Sequence, residues 1–283
     1  MTAPPAPAIE LSGVSKRFGP VQANRDVSLS VAAGSIHGIV GENGAGKSTL
    51  MSILYGFYEA DAGAIRIGGA ERRIRTPADA IGFGIGMVHQ HFMLVETLSV
   101  VENVLLGAEG GVLLRNGLDR ARAELARLAG EYGLVIDPDA IVGELSVGLQ
   151  QRVEILKALY RGAQILILDE PTAVLTPPEA DQLFSLLRAL RAQGKTVILI
   201  THKLREIMDV TDRVSVMRRG EMVAHLSTPE TSPLELAEAM VGRRVLLRVE
   251  KQTRPRGAKV LEAIGLDLVD ARGVALLSGI DLT

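Results

Sequence analysis

The segment SIHGIVGENGAGKSTLMSIL, residues 35–54, constrains what this chain of 283 residues can fold into more than any other. Ile36, Ile39 and Val40 make a short apolar strand, and Leu50, Ile53 and Leu54 follow at helical spacing. Between them lies Gly41-Glu42-Asn43-Gly44-Ala45-Gly46-Lys47-Ser48, with Thr49 next, which fits the phosphate-binding pattern G-x-x-x-x-G-K-[ST]. Glycines so placed let backbone N–H groups turn inward around phosphate oxygens while a helix N-terminus aims at the same point. Lys47 is placed to reach β- and γ-phosphates, and Ser48 to ligate Mg²⁺.

A second segment, AQILILDEPTAVL, supplies acids to the same chemistry. Ile165 to Leu168 is an unbroken apolar run, as expected of a parallel strand buried on both faces. Two carboxylates at its end would be costly inside a sheet. Asp169 suits a Mg²⁺ shell, and Glu170 stands where a base polarises an attacking water. Two further apolar runs end in polar groups, IGMVHQ in Gln90 and TVILITH in His202. Ligands of open α/β sheets bind beyond the carboxyl ends of the strands, so four such ends are expected to converge on one site. His89 and His91 straddle Gln90, but a pair without a third ligand gives no reason for a metal other than Mg²⁺.

Composition narrows the partners. A net charge of −2 argues against a nucleic-acid partner recruited by bulk charge. The absence of cysteine excludes disulfides and thiol-ligated metals. The opening MTAPPAPAIE carries neither a basic nor an apolar signal region, so residues 1–8 read as a disordered lead. The longest apolar stretches are interrupted by Glu96 and Glu102, far short of the ~20 residues that span a bilayer.

The stretch ELSVGLQQRVEILKALYRGAQILILDEPTAVLT narrows the class. Ser146 and Gly148 open a helix whose Val153, Leu156 and Leu159 form an apolar stripe, and Ser146 is placed to cap it. The stretch resembles the signature of ABC ATPases, which the Asp169–Glu170 strand follows at the usual distance. The resemblance covers residues 9 to about 245 and implies a P-loop NTPase (RecA-like) α/β core with an antiparallel β subdomain and a helical subdomain. It makes Phe18 the adenine-stacking aromatic, Gln90 a Mg²⁺ and catalytic contact beside Ser48 and Asp169, and His202 a switch residue beside the base Glu170. Ser146, Gly148 and Gln150 would meet the γ-phosphate of the ATP on a partner's loop, so that two domains sandwich two ATPs head to tail. Val147, Leu149 and Thr176 depart from the common pattern, which bears on whether both composite sites hydrolyse. The wording is similar to that of ATP-binding subunits of simple-sugar and purine-nucleoside importers. Such subunits work at the cytoplasmic face of the membrane with transmembrane permease subunits and, indirectly, a substrate-binding protein. The alternative is a soluble ABC-type ATPase acting on ribosomes or DNA; the short linker and the net charge weigh against it.

Residues 9–35 and 64–75 are expected to form the antiparallel subdomain, and residues 92–158 the helical one, with Leu125, Leu128 and Tyr132 on one stripe. Residues 246–259 are expected to be a linker, because RVEKQTRPRGAK (248–259) is polar, basic and interrupted by Pro255 and Gly257, a composition that an exposed loop shares. The final stretch then repeats the first: IELSGVS (9–15) aligns with LEAIGLD (261–267), and VQANRDVSLS (21–30) with VALLSGIDLT (274–283). A repeat at domain spacing predicts that residues 260–283 are the opening strands of a second, truncated domain, in a gene that runs on beyond Thr283. Its turn, DARG, lacks an aromatic where Phe18 sits.

Overall fold

The computed structural model describes residues 6–90, 92–108, 114–244, 257, 259–271 and 273–283. It divides into two compact units, Met1–Val245 and Leu246–Thr283. The expected linker falls almost wholly outside the described residues, as does His91.

The first unit runs β1 (Ile9–Phe18), β2 (Val21–Val31), β3 (Ile36–Val40), α1 (Lys47–Leu54), β4 (Ala62–Ile67), β5 (Ala70–Glu71), α2 (Pro77–Gly82) and β6 (Ile85–Val88). It continues through α3 (Val100–Leu105), α4 (Leu114–Tyr132), α5 (Val147–Tyr160), β7 (Ile165–Asp169), α6 (Pro177–Ala192) and β8 (Thr196–Ile200). It closes with α7 (Leu204–Val210), β9 (Arg213–Arg218), β10 (Glu221–Ser227) and α8 (Pro233–Val241). A six-stranded sheet has the order β10-β9-β3-β8-β7-β6, and a four-stranded sheet the order β2-β1-β4-β5. In the larger sheet β9, β3, β8, β7 and β6 are parallel, and only β10 joins antiparallel, as a hairpin partner of β9 at the edge. The smaller sheet is antiparallel throughout.

The central strands do not alternate between apolar and polar because both of their faces are covered; His37 of β3 is a buried polar exception. Val197 and Leu199 of β8 pack with α3 to α8 on one face. Ile198 and Ile200 pack with α1, α2, β1 and β2 on the other. A fully buried side chain of this kind contributes about 1.5–3 kcal/mol, so the sheet is held from both sides at the same residues that aim its ends. The helix-rich segment 92–158 holds α3, α4 and α5, and Leu125, Leu128 and Tyr132 do share one buried stripe. Ser146 caps α5, accepting from the Leu149 N–H at 3.4 Å. The lead is shorter than the sequence suggests. Ala8, just before β1, is buried and bonded to the sheet, donating to the Val31 carbonyl at 2.8 Å and accepting from the Gly68 N–H at 3.0 Å.

The second unit holds one antiparallel hairpin, β11 (Ala263–Val269) and β12 (Ala275–Leu282). It copies the β1–β2 hairpin in detail. Leu11 pairs with Leu29 and Val14 with Val27, across an irregular step. Their counterparts Ala263 and Leu282, then Leu266 and Ile280, pair across the same step. Gly13 and Asp26 have φ of 64° and 48°; their counterparts Gly265 and Gly279 have 58° and 60°. The Gly13 N–H donates to Ser28 Oγ at 3.1 Å, as the Gly265 N–H does to Asp281 Oδ1 at 2.7 Å. The Asp26 N–H donates to Ser15 Oγ at 2.9 Å, as the Gly279 N–H does to Asp267 Oδ1 at 2.7 Å. Val14 and Val27 are buried, whereas Leu266 and Ile280 are exposed; within its own unit the two-stranded hairpin has no second layer to cover a face.

The core also contains one titratable relay. His37 Nε2 lies 2.8 Å from Ser215 Oγ, which lies 2.8 Å from His225 Nδ1. Burial, reinforced by His225 and Arg213, lowers the His37 pKa to about 4. Between pH 6.5 and 4 the unfolded chain therefore binds a proton that the folded chain refuses, and stability falls as pH falls. Lowering the pH from 7.5 to 5 should cost about 2 kcal/mol through this residue. Urea unfolding at both pH values checks this, and replacing His37 with Asn should remove that share of the difference, leaving the part due to His89 and His225, whose pKa values burial also lowers.

Candidate nucleotide site

The parallel strands end together. Ile39 and Asp169 both stand opposite Ile200, and Val88 stands opposite Leu168. The chain beyond β3, β6, β7 and β8 therefore brings the glycine loop, Gln90, Glu170 and His202 to one sheet edge.

At the glycine loop two positions admit no side chain. A Cβ on Gly41 would lie 2.2 Å from the Met217 carbonyl oxygen, and one on Gly46 would lie 2.4 Å from that of Ala23. Gly46 also has φ of 100°, which an L side chain adopts only under strain. Gly44, with φ of 79°, has nothing within 4 Å of that position, so the loop is open there. Glu42, Asn43, Gly44 and Ser48 are exposed, Thr49 is half-buried in the first turn of α1, and Ala45 is buried. The Ala45 N–H donates to the Glu42 carbonyl at 3.1 Å, which curls the loop.

Lys47 is buried, and its ammonium donates to the loop carbonyls of Gly41 at 2.8 Å and Glu42 at 3.0 Å. Burial lowers its pKa, opposed by the charges of Glu170 and Asp169. Burial raises the Asp169 pKa, and the Ser48 hydroxyl that donates to it acts in the opposite sense. Ser48 and Asp169 are thus already in contact, an all-oxygen pair of the kind a hard cation such as Mg²⁺ accepts. Among the described residues no three His, Cys, Asp or Glu side chains cluster as a metal site. A cation here would need oxygens from a phosphate or water to complete its shell.

Glu170 has φ of 48°, an uncommon conformation for a residue with a side chain. Its N–H donates to the Ile200 carbonyl at 2.8 Å, tying the bend to the neighbouring strand. Its Oε1 lies 2.9 Å from His202 Nδ1. Backbone strain of this kind clusters at active sites. Gln90 is exposed two residues beyond β6.

Phe18 ends β1, 39% exposed, with its ring edge-on to Tyr58 at 5.0 Å and the Lys16 ammonium 5.6 Å from its centroid. Ser146 and Gly148 stand at the first turn of α5, where they line a hollow with Glu179 and Gln182. The Gln150 amide donates to the carbonyls of Val142 at 3.3 Å and Leu145 at 3.1 Å, which commits its N–H groups to the turn before α5.

Sequence reasoning missed three residues here. Tyr58 sits in the aromatic run Tyr55, Phe57, Tyr58, a signal that could have been weighed against Phe18. Glu206 is buried and accepts from the Thr172 hydroxyl and, at 3.0 Å, from the Thr201 hydroxyl. It so joins the loop after Glu170 to the residue before His202, and no motif announces that. Glu179, in contact with Gly148, is the third.

The chain belongs to the ABC transporter family, which residues 24–173 match. The family is one of ATP-binding domains, and the matched residues include the glycine loop. The chain is similar to the glucose import ATP-binding protein TsgD13 of Haloferax volcanii, 48% identical over 98% of this chain and 56% of that protein. It is also similar to the guanosine import ATP-binding protein NupO of Bacillus subtilis, 47% identical over 97% of this chain and 54% of that protein. The chain thus spans about half the length of the curated relatives it matches. Among solved structures it resembles MJ1267, an ATP-binding cassette of an ABC transporter in its ADP conformation, with a TM-score of 0.73 and 28% identity over 84% of this chain and 99% of that one. Among the described residues no helix is long and apolar enough to cross a membrane.

If Phe18 stacks on the base, Phe18→Ala should weaken ATP binding by about 1–3 kcal/mol, the usual worth of one base–aromatic contact. Fluorescence titration with a nucleotide analogue measures it, and unchanged affinity would assign Phe18 to packing against Tyr58.

Proposed function

We propose that this chain is the ATP-binding and hydrolysing part of an importer for simple sugars or purine nucleosides. The observation that carries the reading is the Glu170–His202 contact of 2.9 Å, at the sheet edge that also bears Lys47. The loop amides of Gly44 and of Gly46 to Ser48 take phosphate oxygens, and Lys47 exchanges its two loop carbonyls for the β- and γ-phosphates. Glu170 accepts a proton from the water that attacks the γ-phosphorus, and the bond to the β-phosphate oxygen breaks to leave ADP. His202 fixes the direction of the Glu170 carboxylate. A Mg²⁺ ion held by Ser48, Asp169 and Gln90 would neutralise the charge that builds on the transferred group. Ser146 and Gly148 serve the nucleotide of a second such domain, so two domains pair head to tail.

In this reading the first unit docks peripherally on the cytoplasmic face of the membrane against permease subunits, fed by a substrate-binding protein. A groove of about 250 Å³ lined by Tyr55, Phe57, His89, Met93, Glu154 and Arg161 is a suitable contact. Glu154 is buried there with its pKa raised by burial, and the Arg161 Nε has no partner among the described residues. The relatives named above are import proteins, and a net charge of −2 gives no footing to a ribosome- or DNA-bound alternative.

We also infer that residues 260–283 open a second domain of the same kind, on the strength of the matched register, glycine turns and side-chain-to-amide bonds of the two hairpins. Gly41 lies eleven residues past Ser30, the counterpart of Thr283. The gene should therefore encode a second phosphate loop about eleven residues beyond Thr283. A natural stop codon at that point would contradict the inference.

Two variants test the catalytic reading. Lys47→Ala should abolish ATP binding, because Lys47 meets ground-state phosphates. Glu170→Gln should keep binding but lose about 10²–10⁴-fold in turnover, as loss of a general base does. Wild-type turnover in Glu170→Gln would remove Glu170 from the role.

A further inference from the structure

The first turns of α5 and α6 share a hollow of about 210 Å³ lined by Ser146, Gly148, Arg152, Glu179 and Gln182. Glu179 is the third residue of α6 and is half-buried. Its Oε2 accepts the Thr176 N–H at 3.0 Å and the Thr176 hydroxyl at 2.8 Å, so it satisfies the start of its own helix. Its other oxygen serves a different helix. A Cβ on Gly148 would lie 2.7 Å from Glu179 Oε1, so that oxygen rests directly on the backbone of the first turn of α5. The amide and hydroxyl of Thr176 hold the Glu179 carboxyl below the usual carboxylate range, and the Gly148 N–H and Arg152 add to that effect. One carboxylate therefore sits against the positive ends of two helices, of 14 and 16 residues.

A side chain at residue 148 would have to push this carboxylate aside. The arrangement leaves Ser146 loosely engaged, because its Oγ accepts from the Leu149 N–H only at 3.4 Å, the far end of hydrogen-bonding distance. The N–H groups at the start of α5 are the feature that would draw an anion to this helix, and Glu179 already supplies one.

We propose that Glu179 is a positioning residue for nucleotide-driven pairing: in the single domain its carboxylate holds the place on Gly148 that a partner's γ-phosphate takes, and it withdraws before the pair closes. The proposal rests on the head-to-tail reading given above. Two anions cannot share the same few donors without repulsion, so closure must displace Oε1. Displacement does not unravel α6, because Oε2 keeps both bonds to Thr176. The contact therefore acts as a threshold that ATP on the partner must exceed. It also links α5, in the helical subdomain, to α6, which follows the Glu170 loop.

The test uses the full chain carrying Glu170→Gln, in which bound ATP should be turned over far more slowly. Self-association is followed by analytical ultracentrifugation across an ATP titration, and ATP binding to the single domain is measured separately at low protein concentration. Adding Glu179→Gln keeps an acceptor for Thr176 but removes the charge. Adding Glu179→Asp keeps charge and cap but shortens the reach to Gly148. Both should lower the ATP concentration at half-association, by roughly two- to fivefold per site for a carboxylate at a helix N-terminus. Affinity of the single domain for ATP should not move, since Glu179 is bonded to Thr176 and its hollow is lined by no residue of 41–49. A purely structural role predicts the opposite, weaker association in both variants. Unchanged or weaker association in either variant overturns the proposal while leaving the pairing intact. Failure of the Glu170→Gln parent to associate at any ATP concentration overturns the head-to-tail reading, and this proposal with it.

Discussion

The site depends on strands that are buried on both faces. β3, β7 and β8 are buried from end to end, between a helical layer on one side and α1 with the antiparallel sheet on the other. Polar groups can leave such strands only at their ends. Register then does the rest: because Ile39, Asp169 and Ile200 are level, the loops that follow emerge side by side. The same packing that stabilises the sheet brings Lys47, Asp169, Glu170 and His202 to one edge.

Charge at that edge is arranged at some cost. Lys47 and Asp169 are both buried, and burial moves each toward its neutral form. Each is partly compensated by the other, and Lys47 is further engaged by its own loop carbonyls. Glu170 adds backbone strain, anchored by Ile200 and His202. These features would be expensive in a site with no ligand to receive them. Phosphate oxygens and a hard cation would satisfy the same donors and carboxylates without rebuilding the sheet.

Much of this was legible in the residues. The glycine loop, the apolar runs and the capping serine are local features, set by steric and hydrogen-bonding rules that act within a few residues, and the structure has them where expected. What escaped reading is long-range. The Tyr58 ring meets Phe18 across about forty positions, Glu206 joins two loops from a third element, and Glu179 reaches a helix thirty positions upstream. None of these pairs follows a fixed spacing, so only packing reveals them. The bound set at Ala8 was missed for a related reason: a Pro- and Ala-rich lead looks unstructured until a partner strand is there to accept its last N–H. The hairpin repeat lies between these cases. Its residues aligned in sequence, but the shared register and paired left-handed turns emerge only in three dimensions.

The central claim is that the loop around Lys47 and the Glu170–His202 pair form one nucleotide site. A crystal structure of the Glu170→Gln chain with Mg²⁺ and ATP tests it most directly. The account predicts that the Lys47 ammonium leaves the Gly41 and Glu42 carbonyls for the β- and γ-phosphates, with the ion between Ser48 and Asp169 and residue 170 facing the γ-phosphate. A nucleotide bound elsewhere, or Lys47 still donating to its own loop beside bound ATP, would contradict it.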